Sequence, residues 1–186
     1  MKLIVPKEIT EGESRVSITP DCIPSLTKMG FKVHVEKDAG MSSSYTDEQY
    51  KQNGAKICNK LDELYKSANL VIKIQRPIKY KNINEYNFLK NCELLTLLYE
   101  QKFKNEYNLL KKLKINVFAL EKMPRISRAQ SMDVLSSQSN LSGYKAVIDA
   151  ASQFNKAFPL MMTSAGTVAP AKVLVIGAGV AGLQAI

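Results

Sequence analysis

The final stretch of the chain, Lys172–Ile186, reads KVLVIGAGVAGLQAI and decides how this part folds. The run Val173–Ile176 is apolar and rich in β-branched residues, which predicts a buried strand. Gly177, Gly179 and Gly182 follow in GxGxxG spacing, and helix-forming residues come after them. In this spacing the first glycine allows a tight turn, the second lets a pyrophosphate approach the backbone, and the third lets the helix pack closely on the strand. The stretch therefore predicts the first strand, turn and helix of a dinucleotide-binding domain.

Two other interpretations of this stretch are a glycine turn in an unrelated sheet and the start of a membrane span. The span is disfavoured because it needs about 20 apolar residues and tolerates closely spaced glycines poorly. In a dinucleotide-binding domain, the acidic residue that binds the adenosine ribose is expected about 20 residues after the glycines. That position lies past Ile186, so we expect the chain to hold an incomplete, truncated Rossmann domain.

Composition narrows the class of protein. The 186 residues exceed one typical domain, and 45% hydrophobic with 23% charged residues is a globular balance. The net charge of +9 comes from scattered lysines without a recognised motif, so we expect no nucleic-acid binding. The three cysteines have no metal-ligand spacing, which predicts free thiols and no metal site. The N-terminus lacks a signal-peptide pattern, so we expect a cytoplasmic protein.

Short apolar runs alternate with helical stretches along residues 1–125, which predicts an α/β first domain with a parallel, flavodoxin- or Rossmann-like sheet covered on both faces. Residues 126–186 are predicted to hold a long linking helix, from Ser131 to Phe154, and the start of the Rossmann domain. The predicted helices of the first domain include one with a Thr46 and Gln49 capping box. The predicted strands are Lys2–Val5, Lys32–Glu36, Leu70–Ile74, Glu93–Leu98 and Ile115–Leu120.

Several motifs resemble one known family. Pro6–Glu8, Glu13–Val16 and Thr19–Pro20 resemble the opening of the alanine dehydrogenase and nicotinamide nucleotide transhydrogenase family. The stretch PRISRAQSMDVLSSQSNLSGYKAV, Pro124–Val147, resembles the transhydrogenase branch, and MMTSAGTVAPAKVLVIGAGVAGLQAI, Met161–Ile186, continues that resemblance. The resemblance covers the whole chain and implies a component that binds NAD(H).

The resemblance also implies the residues of the site and the reaction. Hydride would pass directly from one nicotinamide ring to another, with donor and acceptor carbons about 3 to 3.5 Å apart. The resemblance assigns Gln130 and Asp133 to the catalytic centre. The implied cofactor-binding residues are Arg125, Ser127, Arg128, Ala129, Gln130, Asp133, Ser136, Gly177, Gly179, Val180 and Gly182.

An alanine-dehydrogenase-like oxidoreductase is the alternative activity. In that branch, the positions that match Arg15 and Lys73 hold the substrate, and a histidine acts as acid or base where this chain has Tyr99. Tyr99 cannot replace an imidazole that titrates near neutrality. His34, the one histidine, lies in another predicted strand and is expected to be structural. In a transhydrogenase, Arg15 and Lys73 would form structural salt bridges across the domain cleft.

Partners and location follow from the same resemblance. It implies membrane-embedded, proton-translocating subunits and a partner subunit that binds NADP(H), with a homodimer of the intact component. The chain would then lie on the cytoplasmic side of an inner membrane and be peripheral to it. A non-catalytic remnant of a split or decayed gene is the remaining alternative for this chain.

Overall fold

A computed structural model describes all 186 residues, and its internal contacts divide them into two compact units. The first unit is Met1–Lys122, and the second is Met123–Ile186. Each unit is described by itself below.

The first unit consists of eight strands, four α-helices and four short 3-10 helices. Its strands are β1 (Lys2–Val5), β2 (Lys32–Glu36), β3 (Lys56–Cys58), β4 (Leu70–Gln75), β5 (Lys79–Tyr80), β6 (Ile83–Asn84), β7 (Glu93–Leu97) and β8 (Val117–Ala119). Its helices are α1 (Ile23–Lys28), α2 (Asp47–Gln52), α3 (Leu61–Tyr65) and α4 (Lys104–Lys112), with 3-10 turns at Pro20–Cys22, Met41–Ser43, Glu85–Asn87 and Leu120–Lys122.

Six of these strands form one parallel sheet in the order β3-β2-β1-β4-β7-β8, while β5 and β6 form a small antiparallel hairpin. The chain winds outward from β1 to β3, then returns to β4 beside β1 and winds the other way. The predicted parallel sheet is therefore confirmed, with the doubly wound order of a Rossmann-type fold. The winding reverses between β1 and β4, where such folds leave a crevice at the carboxyl ends of the strands.

Each face of the sheet carries its own hydrophobic core. Leu3 and Val5 of β1 pack into one cluster, and Ile4 between them packs into the other. Successive side chains of a strand point to opposite faces, so this division means that both faces are covered. This arrangement explains why the strands read as continuous apolar runs rather than alternating ones.

The structure confirms most of the predicted elements of the first unit. The capping box of α2 is complete, because the Thr46 hydroxyl accepts from the Gln49 amide and the Gln49 side chain accepts from the Thr46 amide. The sequence prediction missed β3, Lys56–Cys58, which pairs with β2 at the edge of the sheet. A strand of three residues is too short to produce a recognisable periodicity.

The second unit contains a 3-10 helix, two α-helices and a short hairpin. The 3-10 helix covers Ser127–Met132, and the hairpin pairs β9 (Met161–Thr163) with β10 (Gly166–Val168). The helices are α5 (Val134–Gln153) and α6 (Val180–Ala185).

The predicted long helix is present but starts later than expected. The prediction placed its start at Ser131, whereas α5 begins at Val134 because Asp133 adopts a non-helical conformation and caps it. With 20 residues, α5 is about 30 Å long. No helix of the structure, α5 included, combines the length and apolar character required to cross a membrane.

The prediction of a buried strand before the glycine turn is wrong. Residues 172–176 pair with no other strand, and the side chains of Leu174 and Ile176 are 84% and 91% exposed. A β-strand satisfies its backbone groups only through neighbouring strands. The second unit contains no parallel sheet that this segment could join.

A buried hydrogen bond in the first unit provides a test of this packing. The Tyr50 ring is fully buried, and its hydroxyl donates to the Ile18 carbonyl at 2.7 Å. We expect Tyr50→Phe to lower the free energy of unfolding by about 1 to 2 kcal/mol, because a buried carbonyl loses its partner while the ring packing is kept. Urea denaturation measures the change. The control is Tyr144→Phe at an exposed position, and an equal loss in both variants would contradict the prediction.

Candidate functional site

The glycine turn has the backbone geometry that a dinucleotide-binding motif requires. Gly177 has a φ of +111°, a conformation that side chains with a Cβ rarely adopt. Gly179 caps the start of α6 in an extended conformation. A Cβ at Gly179 would meet no atom within 4 Å, so the space beside it is open to a ligand.

Gly182 is needed for packing inside the motif. A Cβ on Gly182 would collide with the Gly177 carbonyl oxygen and would lie 2.9 Å from its carbonyl carbon. The first turn of α6 therefore rests directly on the backbone of the glycine turn. These three glycines fit the pyrophosphate cradle of a dinucleotide, although the preceding segment is not a strand in this unit.

The loop that carries the other predicted residues is organised around Asp133. The Asp133 carboxylate accepts from the Ser136 amide at 2.9 Å and from the Ser136 hydroxyl at 2.6 Å. Arg125 Nε lies 4.0 Å from Asp133 Oδ2, with the arginine side chain largely exposed. The structure thus brings Arg125, Asp133 and Ser136 together as a helix cap with a charged neighbour.

The hydrogen bonds from Ser136 lower the pKa of Asp133, with a smaller effect from Arg125. The carboxylate is therefore ionised near neutral pH. Ala129 is buried and anchors the 3-10 helix, while Ser127, Arg128 and Gln130 are exposed. No hydrogen bond or ion pair joins these residues to Gly177, Gly179, Val180 or Gly182, so the predicted site residues form two separate groups in the second unit.

In the first unit, a buried ion cluster fills the carboxyl edge between β1 and β4. Lys73 is 1% exposed and forms ion pairs with Glu85 and with Glu8, whose Oε2 lies 3.7 Å from the Lys73 Nζ. Glu8 also accepts from the Ile74 amide at 2.6 Å, and Glu85 accepts from the Ile78 amide at 2.9 Å. Burial raises the pKa of Glu8, and the nearby ammonium partly offsets that effect.

Arg15 forms a second ionic group at this edge. Its Nε and one terminal nitrogen donate to the two Glu13 oxygens at 2.7 and 2.6 Å, and the Gln75 amide donates to Glu13 at 2.7 Å. Hydrogen bonds from the guanidinium lower the Glu13 pKa to about 2. The salt bridges of Arg15 and Lys73 lie within the first unit, so the expectation that they cross a domain cleft is wrong.

Tyr99 lies in a strained turn after β7. Its φ is +49°, and the Glu121 carboxylate accepts from the amides of Leu98 and Tyr99 at 3.0 and 2.6 Å. The side chain is 40% exposed and lines an open pocket of about 330 Å³. The one histidine, His34, places Nδ1 3.6 Å from Cys58 Sγ within the sheet, and burial with nearby lysines lowers its pKa. His34 thus has the structural role that was expected.

Sequence reasoning missed the carboxylates that surround Lys73. The available signal was the strand LVIKIQ, in which a lysine occupies a position between buried apolar residues. A buried ammonium requires a paired carboxylate, so this position predicts acidic partners nearby in space. Which glutamates supply them depends on the loops that follow β1 and β6, and the sequence spacing does not reveal this.

A parallel, doubly wound first unit followed by a glycine turn defines an NAD(P)-type dinucleotide-binding class, and the chain belongs to the alanine dehydrogenase/PNT family. The N-terminal domain model of that family matches residues 4–142, and its C-terminal domain model matches residues 146–186. Among its relatives is an NAD(P) transhydrogenase subunit alpha of Rhodospirillum rubrum, with 48% identity over 188 residues. That match covers all of this chain and 49% of the relative, so the chain spans about half the length of the curated relatives it matches.

Two solved structures resemble the chain along its whole length. The transhydrogenase from Sinorhizobium meliloti matches with a TM-score of 0.93 and 40% identity, covering 100% of this chain and 54% of that one. An L-alanine dehydrogenase matches with a TM-score of 0.82 and 25% identity, covering 100% of this chain and 50% of that one. The transhydrogenase is therefore the more similar of the two.

The ion cluster around Lys73 makes a testable contribution to stability. We expect Lys73→Met to lower the free energy of unfolding by about 3 to 5 kcal/mol at pH 7, because it leaves the Glu8 and Glu85 carboxylates buried without a cation. The folded variant then holds protons at a higher pH than the unfolded chain does, so its deficit should shrink as the pH falls from about 7 to 5.

Chemical denaturation at several pH values measures this deficit. The exposed Lys112→Met is the matched control and should change stability by about 0.5 kcal/mol or less at every pH. A deficit in Lys73→Met that stays constant over this pH range would contradict the role of the carboxylates.

Proposed function

We propose that this chain is the N-terminal part of the NAD(H)-binding component of a proton-translocating NAD(P) transhydrogenase. The observation that carries the proposal is the 48% identity to a transhydrogenase α subunit over the whole chain, compared with 31% to the alanine dehydrogenase of Methanococcus maripaludis. The geometry of the glycine turn supports NAD(H) as the cofactor, because it combines a left-handed first glycine with open space at the second.

The cofactor would contact both groups of residues in the second unit. Gly177, Gly179, Val180 and Gly182 would hold its pyrophosphate at the start of α6. The loop would surround the nicotinamide and its ribose through Arg125, Ser127, Arg128, Gln130, Asp133 and Ser136, with buried Ala129 fixing the loop's backbone. The bound nucleotide supplies the hydride that the reaction transfers.

The protein's own residues would act by positioning. Transfer between two nicotinamide rings involves no proton on this component, so an ionised Asp133 and a neutral Ser136 are sufficient to bind a carboxamide and hydroxyl groups. Gln130 is exposed and has both a donor and an acceptor that can reach toward a second nucleotide. We assign the catalytic role to Gln130 and Asp133 in this sense.

The first unit argues against amino-acid chemistry. Lys73 is enclosed by Glu8 and Glu85, and Arg15 is held in a fork by Glu13. Tyr99 stands where the alanine dehydrogenase branch is expected to have its acid or base. The lysine therefore has no exposed donor for a substrate carbonyl, and we propose that it serves stability instead.

The complete assembly would include further subunits. NADP(H) would bind to a partner subunit, and proton translocation would take place in membrane-embedded subunits. The component would be a homodimer on the cytoplasmic side, attached to the inner membrane through those partners. The transhydrogenase names of the relatives support this aspect of the proposal.

Comparing two reactions tests the choice between the two branches of the family. The complete protein is mixed with an NADP(H)-binding partner, and hydride transfer from NADH to an NADP⁺ analogue is followed by absorbance. We expect this transfer to occur, and we expect no oxidation of NADH by pyruvate and ammonia. Oxidation in the second assay without transfer in the first would replace the proposal with an alanine-dehydrogenase-like activity.

Gly179→Ala tests whether the glycine turn binds a nucleotide. Gly179 has φ −80°, and an added methyl group meets no protein atom, so we expect stability to stay within about 0.5 kcal/mol of the wild type. The same methyl group would occupy the space of the pyrophosphate, so NADH affinity should fall about tenfold or more. NADH fluorescence measures the affinity free of tryptophan emission, since the sequence has no tryptophan.

The contrasting variant is Gly182→Ala. Its methyl group would collide with the Gly177 carbonyl, so it should lower both stability and affinity. An unchanged NADH affinity in Gly179→Ala would show that no pyrophosphate lies against this turn.

A further inference from the structure

A third backbone contact in the second unit involves a glycine outside the GxGxxG motif. Gly143 is the one buried residue of α5, and it faces the first turn of α6. A Cβ built on Gly143 would collide with the Ala181 carbonyl oxygen and lie 2.9 and 3.0 Å from the carbonyl carbon and Cα of Ala181. The two helices therefore meet backbone to backbone at this point.

The atoms on the other side of this contact cannot move aside alone. All three are backbone atoms of α6, so a side chain at residue 143 could be accommodated only if the whole helix moved. On its other side, α6 rests on the Gly177 carbonyl through the missing side chain of Gly182. Helix α6 is thus held between α5 and the glycine turn by two contacts that tolerate no Cβ.

Helix α5 also carries the other group of predicted site residues. Asp133 caps its N-terminus and binds Ser136, while Gly143 lies ten residues beyond the cap, or about 15 Å along the helix. One rigid helix therefore sets both the nicotinamide-side loop and, through Gly143, the position of the pyrophosphate turn.

We propose that Gly143 is a positioning residue for nucleotide binding, which acts by letting α5 hold α6 and the glycine turn in place. This proposal rests on the proposed NAD(H) site. Gly143 itself does not touch the ligand in this account. Its absent side chain fixes where the amides at the start of α6 point, and a displacement there of about 1 Å is enough to weaken binding by about tenfold to a hundredfold.

The decisive variant is Gly143→Ala, with Ser142→Ala as the matched control at the exposed neighbouring position. Alanine is a better helix former than glycine or serine, so both changes favour α5 taken alone. Any loosening that is confined to Gly143→Ala must therefore come from the contact with α6. The complete polypeptide that carries this sequence is used throughout.

The first measurement is hydrogen exchange without any nucleotide. We expect amide exchange over residues 179–185 to accelerate in Gly143→Ala and to stay unchanged in Ser142→Ala, while the amides of the first unit are unaffected. Exchange over 179–185 equal to that of the wild type would overturn the coupling, whatever the protein binds.

The second measurement compares ADP, which has a pyrophosphate, with adenosine, which has none. We expect Gly143→Ala to bind ADP about tenfold more weakly or worse, while adenosine affinity stays within about twofold of the wild type. An equal loss of both ligands would show a general structural role and overturn the positioning role. Unchanged ADP affinity would overturn it as well.

Two further outcomes separate this proposal from the one it rests on. If the wild type binds neither ADP nor NADH, the proposed function fails, and the role in nucleotide binding fails with it, although the exchange result still decides the coupling. If Gly143→Ala does not fold, exchange in the wild type is the deciding measurement. Amides of α6 should then be protected together with those of α5, and a rapidly exchanging α6 beside a protected α5 would overturn the proposal.

Discussion

The first unit depends on an ammonium group that is sealed from water. Lys73 lies in a central strand with 1% of its surface exposed, and removing such a charge from water costs several kcal/mol unless carboxylates replace the lost solvation. Glu8 supplies one from the segment after β1, and Glu85 supplies the other from the 3-10 turn after β6. A single buried charge thereby ties three segments together at the point where the winding of the sheet reverses.

That same cluster changes the meaning of the doubly wound topology. In open α/β sheets, ligands bind in the crevice at the carboxyl ends where the winding reverses. Here the crevice of the first unit contains internal ion pairs, with Glu13 occupying Arg15 and the two other glutamates occupying Lys73. The fold alone would suggest a nucleotide site in this unit, whereas its side chains direct the search to the glycine turn of the second.

The second unit is organised by the absence of side chains. At Gly143 and Gly182, the backbone of α6 meets a neighbouring backbone so closely that a methyl group would collide with it. The GxGxxG spacing indicates the contact at Gly182, because the motif has a known geometry. It gives no indication of the contact at Gly143, which lies far from the motif in sequence and becomes visible only when α5 and α6 are packed together.

The sequence by itself determined the parallel α/β first domain, the capping box of α2, the long helix and the glycine turn, because each depends on local spacing or on the burial pattern of one segment. The tertiary structure decided which carboxylates enclose Lys73, where Arg15 finds its partner, and that Gly143 supports α6. It also overturned the strand expected over residues 172–176, since a strand exists only where neighbouring strands complete its hydrogen bonds. Local propensity is encoded residue by residue, whereas charge compensation, close backbone contacts and strand pairing depend on which distant segments come together.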